Sequence, residues 1–267
     1  MIKIDGHPIE IGSYPDGTIL LKYKPSLCQI EENVRLYWQY ENDREFLALI
    51  YLVKHLRERG VVDIFLAMPY IPNARMDRVK NKEDVFTLKY FTELLNSLNF
   101  RQVVVLDPHS DVSSALIKNL TVESPKSYVE KALSKINSNN LMMFYPDNGA
   151  AKRYSDLVKL PHAFGIKKRN WETGTIEGLD VSGAVDQIAG KDILIVDDIC
   201  SRGGTFYHSA KKLKELGAND IYLYVSHCEN TVLEGELLNG DLIKRVYTTE
   251  SVFTKSHEKI EVLNYEN

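Results

Sequence analysis

ILIVDDICSRGGT, residues 193–205, contains in order an apolar run, two acids and a small glycine turn. The run from Ile193 to Val196 is apolar and mostly β-branched, which is typical of a buried strand. A helical pattern follows over residues 206–217. In open α/β sheets, ligands bind where strands end and helices begin. The acids can hold ribose hydroxyls or a metal, and backbone N–H groups of the turn can face a phosphate. The stretch therefore predicts a site for a phosphorylated ribose.

Composition excludes several classes of protein. The chain has 267 residues, which allows one large or two modest domains, and its 44% hydrophobic and 26% charged content is typical of a globular protein. The net charge of −4 argues against a broadly basic nucleic-acid surface. No apolar run approaches the length of a membrane span, and the N-terminus has no signal-peptide core. We therefore expect a cytoplasmic protein with no nucleic-acid partner and no membrane association.

Strands and helices alternate along the chain. Apolar runs predict strands over residues 61–68, 101–106, 141–145, 191–196 and 221–225. Helical spacing predicts helices over residues 46–60, 85–98, 128–136, 150–157 and 206–217. Such alternation predicts parallel sheets, and its two series predict two similar α/β domains. The polar stretch 121–126 is the expected boundary, which gives an N-terminal domain over residues 1–123 and a C-terminal domain over residues 124–267.

Chemically reactive side chains follow three of the predicted strands. They are His109 in one loop, Asp147 in the next, and the pair Asp197 and Asp198 in the third. Carboxylates and phosphates together satisfy the octahedral coordination of Mg²⁺, so this recurrence favours a polyphosphate or magnesium site. Each residue also has a purely structural interpretation: a loop histidine bonded to backbone, an Asx turn, and a helix N-cap for which Ser201 competes.

Two further segments carry cationic side chains. In MPYIPNARMDR, residues 68–78, the two prolines predict an extended chain in which Arg75 and Arg78 flank Asp77. Guanidinium groups can stack on adenine and bind phosphates in a forked geometry, although an ion-paired surface turn is the alternative. IKKRNWETGT, residues 166–175, is basic and without clear periodicity. It predicts either a mobile loop that closes over a transferring phosphoryl group or a solvated loop.

These segments, taken in order, resemble the ribose-phosphate pyrophosphokinase family from about residue 13 to residue 251. The resemblance implies an α/β fold of two tandem phosphoribosyltransferase-like domains, each a mainly parallel sheet flanked by helices. It implies a transferase of nucleotide biosynthesis that moves the β,γ-diphosphate of ATP to the C1 hydroxyl of ribose 5-phosphate and releases AMP. It also implies ATP as co-substrate, Mg²⁺ as cofactor and a small-molecule acceptor.

The resemblance assigns ATP to the N-terminal domain and ribose phosphate to the C-terminal domain. The residues implied to bind ATP are Tyr14, Asp16, Arg75, Asp77, Arg78 and His109. Those implied to bind the ribose phosphate are Asp197, Asp198, Ser201, Arg202, Gly203, Gly204 and Thr205. The implied pyrophosphate loop contains Asp147, Asn148, Gly149, Lys152 and Arg153. The implied catalytic residues are Lys167, Arg169 and His109, and the implied magnesium ligands are His109 and Asp147.

The chain departs from the family pattern beside the expected 5-phosphate. Ser201 and Arg202 stand where the family has Asp-Thr, which exchanges an acid for a base. This exchange suggests an alternative acceptor with a substituted 5′-phosphate, such as ADP-ribose, which would connect the enzyme to NAD metabolism. A type I phosphoribosyltransferase is the further alternative. The family's segment matching residues 14–18 completes the nucleotide pocket of a neighbouring subunit, so the resemblance also implies self-association, at least as a dimer.

Overall fold

The computed structural model describes residues 1–23, 33–169 and 176–264. Side chains are described throughout these ranges except at residues 167–169 and 176–179. The chain divides into two compact units, Met1–Ser124 and Pro125–Asn267. In the described ranges no helix has both the length and the apolar character needed to cross a membrane.

The first unit is built around a mostly parallel sheet. Its strands are β1 (Ile2–Ile4), β2 (His7–Pro8), β3 (Glu10–Ser13), β4 (Ile19–Lys22), β5 (Asn33–Trp38), β6 (Asp63–Ala67), β7 (Gln102–Leu106) and β8 (Leu120–Glu123). The described part of the sheet has the order β2-β1-β5-β6-β7-β8, while β3 and β4 form a separate antiparallel hairpin. Strands β5 to β8 are parallel, and β1 pairs antiparallel with β5 and β2.

Three described helices accompany this sheet: α1 (Asp43–Glu58), α2 (Thr87–Ser97) and α3 (Asp111–Leu116). Helix α1 begins at an Asn42 cap, whose side chain accepts a hydrogen bond from the Glu45 backbone. The ring of Phe46 stacks on Trp38 at 5.7 Å and lies 4.6 Å from the ring of Phe91. These aromatic contacts connect β5, α1 and α2 into one buried core.

The second unit contains a larger sheet of the same kind. Its strands are β9 (Leu141–Tyr145), β10 (His162–Arg169), β11 (Ile176–Gly183), β12 (Asp192–Cys200), β13 (Ile221–Cys228), β14 (Arg245–Thr249) and β15 (Ile260–Leu263). The order is β11-β10-β9-β12-β13-β14-β15, and all neighbours are parallel except β10 and β11. Its described helices are α4 (Lys126–Ile136), α5 (Asn148–Tyr154) and α6 (Gly204–Glu215). Strand β13 is buried along its whole length, as expected for the interior of a parallel sheet.

Two sequence predictions about strand ends are wrong. The strand predicted over residues 191–196 continues to Cys200, so Asp197 and Asp198 lie inside β12 rather than after it. The reason is the neighbouring strand, because β13 continues the ladder through the pair Cys200 and Cys228. The loop predicted at residues 147–149 is instead the start of α5, with Asp147 as its N-cap.

Candidate active site

The loops of the first unit that were predicted to bind ATP start from neighbouring strand ends. The backbone N–H of Met68 donates to the carbonyl of Val104 at 2.8 Å, and the N–H of Leu106 donates to Pro69 at 3.0 Å. The loops that follow β6 and β7 therefore begin side by side at the carboxyl edge of the sheet. Parallel α/β sheets bind ligands at this edge.

The loop after β6 is a turn rather than the extended segment predicted from its prolines. Asn73 has φ 62° in the left-handed region, which asparagine tolerates, and the N–H of Met76 donates to its carbonyl at 2.9 Å. The side chains of Ile71 and Ala74 are buried and fix the loop to the core, whereas Arg75 is exposed.

Further along this loop, Arg78 forms a weak ion pair with Asp77. Arg78 Nε lies 3.9 Å from Asp77 Oδ1, and the arginine side chain is 74% exposed. An exposed pair of this length contributes little to stability. The described geometry leaves both exposed arginines, Arg75 and Arg78, at the edge where a ligand can reach them.

His109 lies in the short connection between β7 and α3. It is half-buried, and the residue two places before it, Asp107, is buried with φ 43°. Ser110 caps α3 by accepting a hydrogen bond from the Ser113 backbone. The cap and the tight turn fix the backbone on both sides of His109, which therefore occupies a defined position beside the loop after β6.

Tyr14 and Asp16 lie in the turn of the hairpin β3–β4, which forms a sheet of its own. The Asp16 carboxylate accepts hydrogen bonds from the hydroxyl of Thr18 at 2.7 Å and from its backbone N–H at 3.0 Å. The side-chain bond from Thr18, followed by the backbone bond, lowers the pKa of Asp16. Tyr14 is 52% exposed, so the turn presents an aromatic ring to the surroundings of the molecule.

The second unit brings the predicted acids Asp147, Asp197 and Asp198 together at the point where β9 ends and the neighbouring strand β12 continues. Strand β12 pairs with β9 only as far as Ile195 opposite Phe144, and then continues alone on that side. Asp147 comes three residues after Phe144, and Asp197 two residues after Ile195. Asp147 and Asp197 are close enough to repel each other electrostatically.

Asp147 also orders the start of helix α5. Its Oδ1 accepts a hydrogen bond from the Ala150 backbone at 3.0 Å, which is an N-cap geometry. The Asx-turn interpretation and the ligand interpretation are therefore compatible, since a carboxylate has further lone pairs. Asn148, Gly149 and Lys152 of the predicted pyrophosphate loop are exposed on this helix.

Asp197 and Asp198 have different surroundings although they are adjacent. Asp198 is 4% exposed, and its carboxylate contacts Arg153 Nη1 at 3.2 Å. Asp197 Oδ1 accepts the N–H of Asp198 at 3.0 Å. Burial, and then the neighbouring Asp198 charge, raise the pKa of Asp197 well above its ordinary value. The pair thus combines one ion-paired carboxylate with one whose charged form is disfavoured by burial and by its neighbour.

The small turn after β12 packs against a second segment, which contains Gly235 and Leu237. Gly203 has φ 79° at the start of α6 and lies against Leu237. A Cβ on Gly235 would come within 1.9 Å of the Arg202 carbonyl oxygen, so the two backbones touch. Only glycine permits such an approach. The sequence motifs did not predict this second segment. Gly235 is a signal for it, because a glycine can mark a close approach of two backbones.

Arg202 has an acidic partner that the sequence did not predict. Its Nη2 lies 3.1 Å from Glu234 Oε2, and both side chains are well exposed. Ser201 Oγ lies 3.3 Å from the hydroxyl of Thr231, while Thr205 is half-buried in the first turn of α6. The arginine that departs from the family pattern in this turn is therefore paired with Glu234.

We expect Gly203→Ala to destabilise the protein by about 1–3 kcal/mol, the usual cost of forcing a non-glycine residue into a strained conformation. The new Cβ would also lie 2.7 Å from Leu237 side-chain atoms. Gly204→Ala is the matched control, because no atom lies within 4 Å of its Cβ position and alanine favours helices. Denaturant unfolding of both variants measures the difference. Equal stability of the two variants would contradict this account of the turn.

The basic stretch is partly a strand rather than a loop. Residues up to Arg169 belong to β10, where Lys167 pairs with Leu179 and Arg169 with Ile176 of β11. The sequence missed this because the strand is specified by its partner and not by an alternating pattern of its own. Residues 170–175 and the side chains of Lys167 and Arg169 lie outside the described part of the structure.

The described side chains contain no ready-made cage for a metal ion. Within residues 1–23, 33–169 and 176–264, no group of three or more His, Cys, Asp or Glu side chains is arranged to hold one. A cation that takes most of its ligands from bound phosphates and water needs no such group, and Mg²⁺ is of this kind.

Comparison with known proteins agrees with these motifs, although no protein-family model matches the chain. The ribose-phosphate pyrophosphokinase of Thermoplasma volcanium is 28% identical over 276 residues, covering 94% of this chain and 87% of the relative. That of Saccharolobus solfataricus is 23% identical over 223 residues, covering 82% of this chain and 76% of the relative. The chain is thus similar to ribose-phosphate pyrophosphokinases over most of its length.

A solved structure confirms the predicted fold class. The phosphoribosylpyrophosphate synthetase from Mycobacterium smegmatis matches with a TM-score of 0.77, covering 96% of this chain and 86% of that one. At 18% identity this likeness establishes the fold alone. The pyrophosphokinase family resemblance and the α/β fold with mainly parallel sheets flanked by helices are thus both confirmed.

Proposed function

We propose that the protein is a transferase that moves the β,γ-diphosphate of ATP to the C1 hydroxyl of ribose 5-phosphate and releases AMP. One observation of the geometry carries the proposal: two carboxylates among the last residues of β12 precede the glycine turn that opens helix α6. Carboxylates accept hydrogen bonds from sugar hydroxyls, and the turn offers backbone N–H groups to a phosphate. The relatives are ribose-phosphate pyrophosphokinases, which supports this reaction.

We assign the acceptor to the second unit. Asp197 and Asp198 orient the ribose, and the 5-phosphate binds the turn formed by Ser201, Arg202, Gly203, Gly204 and Thr205. The relatives are named for ribose phosphate, which favours ribose 5-phosphate over a 5′-substituted acceptor. The ion pair between Arg202 and Glu234 supports the same choice, because it compensates the exchanged charge without a second phosphate.

We assign ATP to the loops at the carboxyl edge of the first unit. Arg75 and Arg78 are exposed cations there, suited to adenine stacking and to phosphate oxygens. The reaction requires in-line attack of the sugar hydroxyl on the β-phosphorus, so the protein must align two anions and neutralise the charge that develops. Lys167 and Arg169 supply positive charge to the transition state.

His109 and Asp147 fit Mg²⁺ as single supplementary ligands. Each offers one donor, and the described residues hold no three-ligand group, which is the usual situation where substrate phosphates bind the ion. Bound Mg²⁺ would neutralise phosphate oxygens during transfer. We therefore include Mg²⁺ in the proposed reaction, with His109 in the first unit and Asp147 in the second unit each proposed as a protein ligand in its own unit.

We also propose that the protein self-associates, at least as a dimer, and works in the cytoplasm. The exposed Tyr14 in the hairpin turn supports an intermolecular role, because about half of its aromatic side chain is accessible to a partner. Light scattering of the purified protein tests the assembly. A monomer at micromolar concentration would remove this part of the proposal.

The reaction is tested by incubating the purified protein with Mg²⁺, ATP and ribose 5-phosphate. We expect AMP and a pyrophosphorylated sugar in equal amounts, and loss of both when EDTA is added. Parallel reactions contain ADP-ribose, or no acceptor. Release of ADP would contradict diphosphate transfer, and equal or faster AMP release with ADP-ribose would contradict the proposed acceptor.

A further inference from the structure

We propose that Arg153 is a positioning residue that holds Asp198 toward the ribose, rather than a residue that binds the diphosphate. This role rests on the function proposed above. Arg153 lies on α5 and Asp198 on β12, 45 positions apart in the chain. Their ion pair therefore connects the helix after β9 with the strand that carries the acceptor carboxylates.

The ion pair compensates a charge that has little access to water. The Asp198 side chain is 6% exposed and lies next to Asp197, which also interacts electrostatically with Asp147. Arg153 Nη1 contacts Oδ2 of Asp198, while Oδ1 accepts the backbone N–H of Ile199 at 2.9 Å. Removing the partner of a buried charge is strongly unfavourable, because the remaining charge is desolvated and unpaired. Arg153 thus fixes the orientation of this carboxylate.

Arg153 is itself held in place before any substrate binds. Its guanidinium carbon lies 5.0 Å from the centre of the Tyr154 ring, which is buried. Asp147 caps the other end of the same short helix. With the guanidinium directed at β12, the exposed Lys152 is the neighbouring cation that can turn to a diphosphate. The two adjacent cations of the pyrophosphate loop therefore have different tasks.

Steady-state kinetics with each substrate varied in turn distinguish these tasks. We expect Arg153→Gln to raise KM for ribose 5-phosphate about tenfold while KM for ATP changes less than twofold. Arg153→Lys should restore part of the loss, because it keeps the charge. Lys152→Gln is the matched comparison and should affect ATP more than the sugar phosphate. A larger effect of Arg153→Gln on ATP than on ribose 5-phosphate would overturn the proposal.

A double-mutant cycle tests whether Arg153 acts through Asp198. If it does, Arg153→Gln combined with Asp198→Asn should cost little more than Asp198→Asn alone. Independent roles would give multiplied losses and overturn the proposal. Circular dichroism and melting curves identify any variant that fails to fold, in which case Arg153→Lys carries the comparison. A folded wild-type protein that neither binds nor converts ribose 5-phosphate would overturn the proposed function as well. If the variants are active and the fold losses of the single variants multiply in the double variant, only the positioning role is overturned.

Discussion

Lys167→Ala is expected to lower turnover about a hundredfold or more while leaving the fold intact. Positive charge placed where negative charge develops is typically worth this much when a single donor is removed from such a site. The fold should survive because Lys167 enters the structure through the backbone ladder between β10 and β11, where it pairs with Leu179. Alanine keeps those backbone hydrogen bonds.

The measurement is initial-rate AMP release at saturating ATP and ribose 5-phosphate, together with a melting curve. Lys168→Ala is the matched control, because it removes the same charge and the same side chain from the neighbouring position of the same strand. We expect Lys168→Ala to keep most of the activity. Unchanged turnover in Lys167→Ala would remove its catalytic assignment, and equal losses in both variants would attribute the effect to net charge.

The buried parallel strands were predictable from the sequence because their composition alone specifies them. The prediction for residues 141–145 agrees with β9, Leu141–Tyr145, and the predicted helix over residues 206–217 overlaps α6. Continuous apolar runs flanked by helices leave few other folds. The same logic explains why the α/β class was predicted correctly.

The strands that were missed depend on partners distant in the sequence. Strand β2, His7–Pro8, is exposed and has no apolar alternation, and β1 is fixed by pairing Ile2 with Trp38. The end of β12 was predicted too early for the same reason, since Ile199 pairs with His227 of β13. Strand propensity reflects such pairing more than an intrinsic preference of the residue.

The site residues also differ in whether a local motif or a contact between distant residues identifies them. Asp197 and Asp198 could be selected from the sequence because acids followed by a glycine turn have a chemical meaning in one short segment. The contacts of Arg202 with Glu234 and of Arg153 with Asp198 could not, because they join residues 32 and 45 positions apart. Sequence motifs therefore lead to a proposal for the ligand of a site, while the partners that orient its side chains come from the fold.

Asp197→Asn is expected to stabilise the protein at neutral pH while lowering turnover about a hundredfold. Burial, and then the charge of Asp198, raise the pKa of Asp197 well above its ordinary value. A raised pKa means that the folded protein disfavours the charged form, so stability from this group is present at low pH and is lost as pH rises through the raised pKa. Asparagine removes the charge, and its side-chain oxygen can still accept the Asp198 N–H.

The sign of the expected gain in the free energy of unfolding follows from the direction of the pKa shift, because every unit by which a pKa is raised disfavours the charged form. Each kcal/mol of gain corresponds to a melting temperature about 2–4 °C higher in a protein of roughly this size. The catalytic loss has the opposite sign, because the anionic oxygens proposed to hold the ribose hydroxyls are reduced to a neutral amide. Melting curves recorded with EDTA between pH 4 and pH 9 should show the gain growing with pH.

Asp192→Asn is a control in the same strand, and its expected effect on stability at neutral pH is opposite to that of Asp197→Asn. Burial raises the pKa of Asp192, but hydrogen bonds from Ser138, the Asp220 backbone and Asn219 together outweigh burial, so its pKa is lowered. A lowered pKa contributes stability above the ordinary value, and this contribution is lost on acidification. Asp192→Asn should therefore destabilise the protein at neutral pH and converge with the wild type in acid. If both aspartate variants shifted the melting temperature in the same direction, the electrostatic difference between the two ends of β12 would be contradicted. Opposite shifts, with turnover lost in Asp197→Asn alone, would show that the acceptor carboxylates are maintained at a cost in stability.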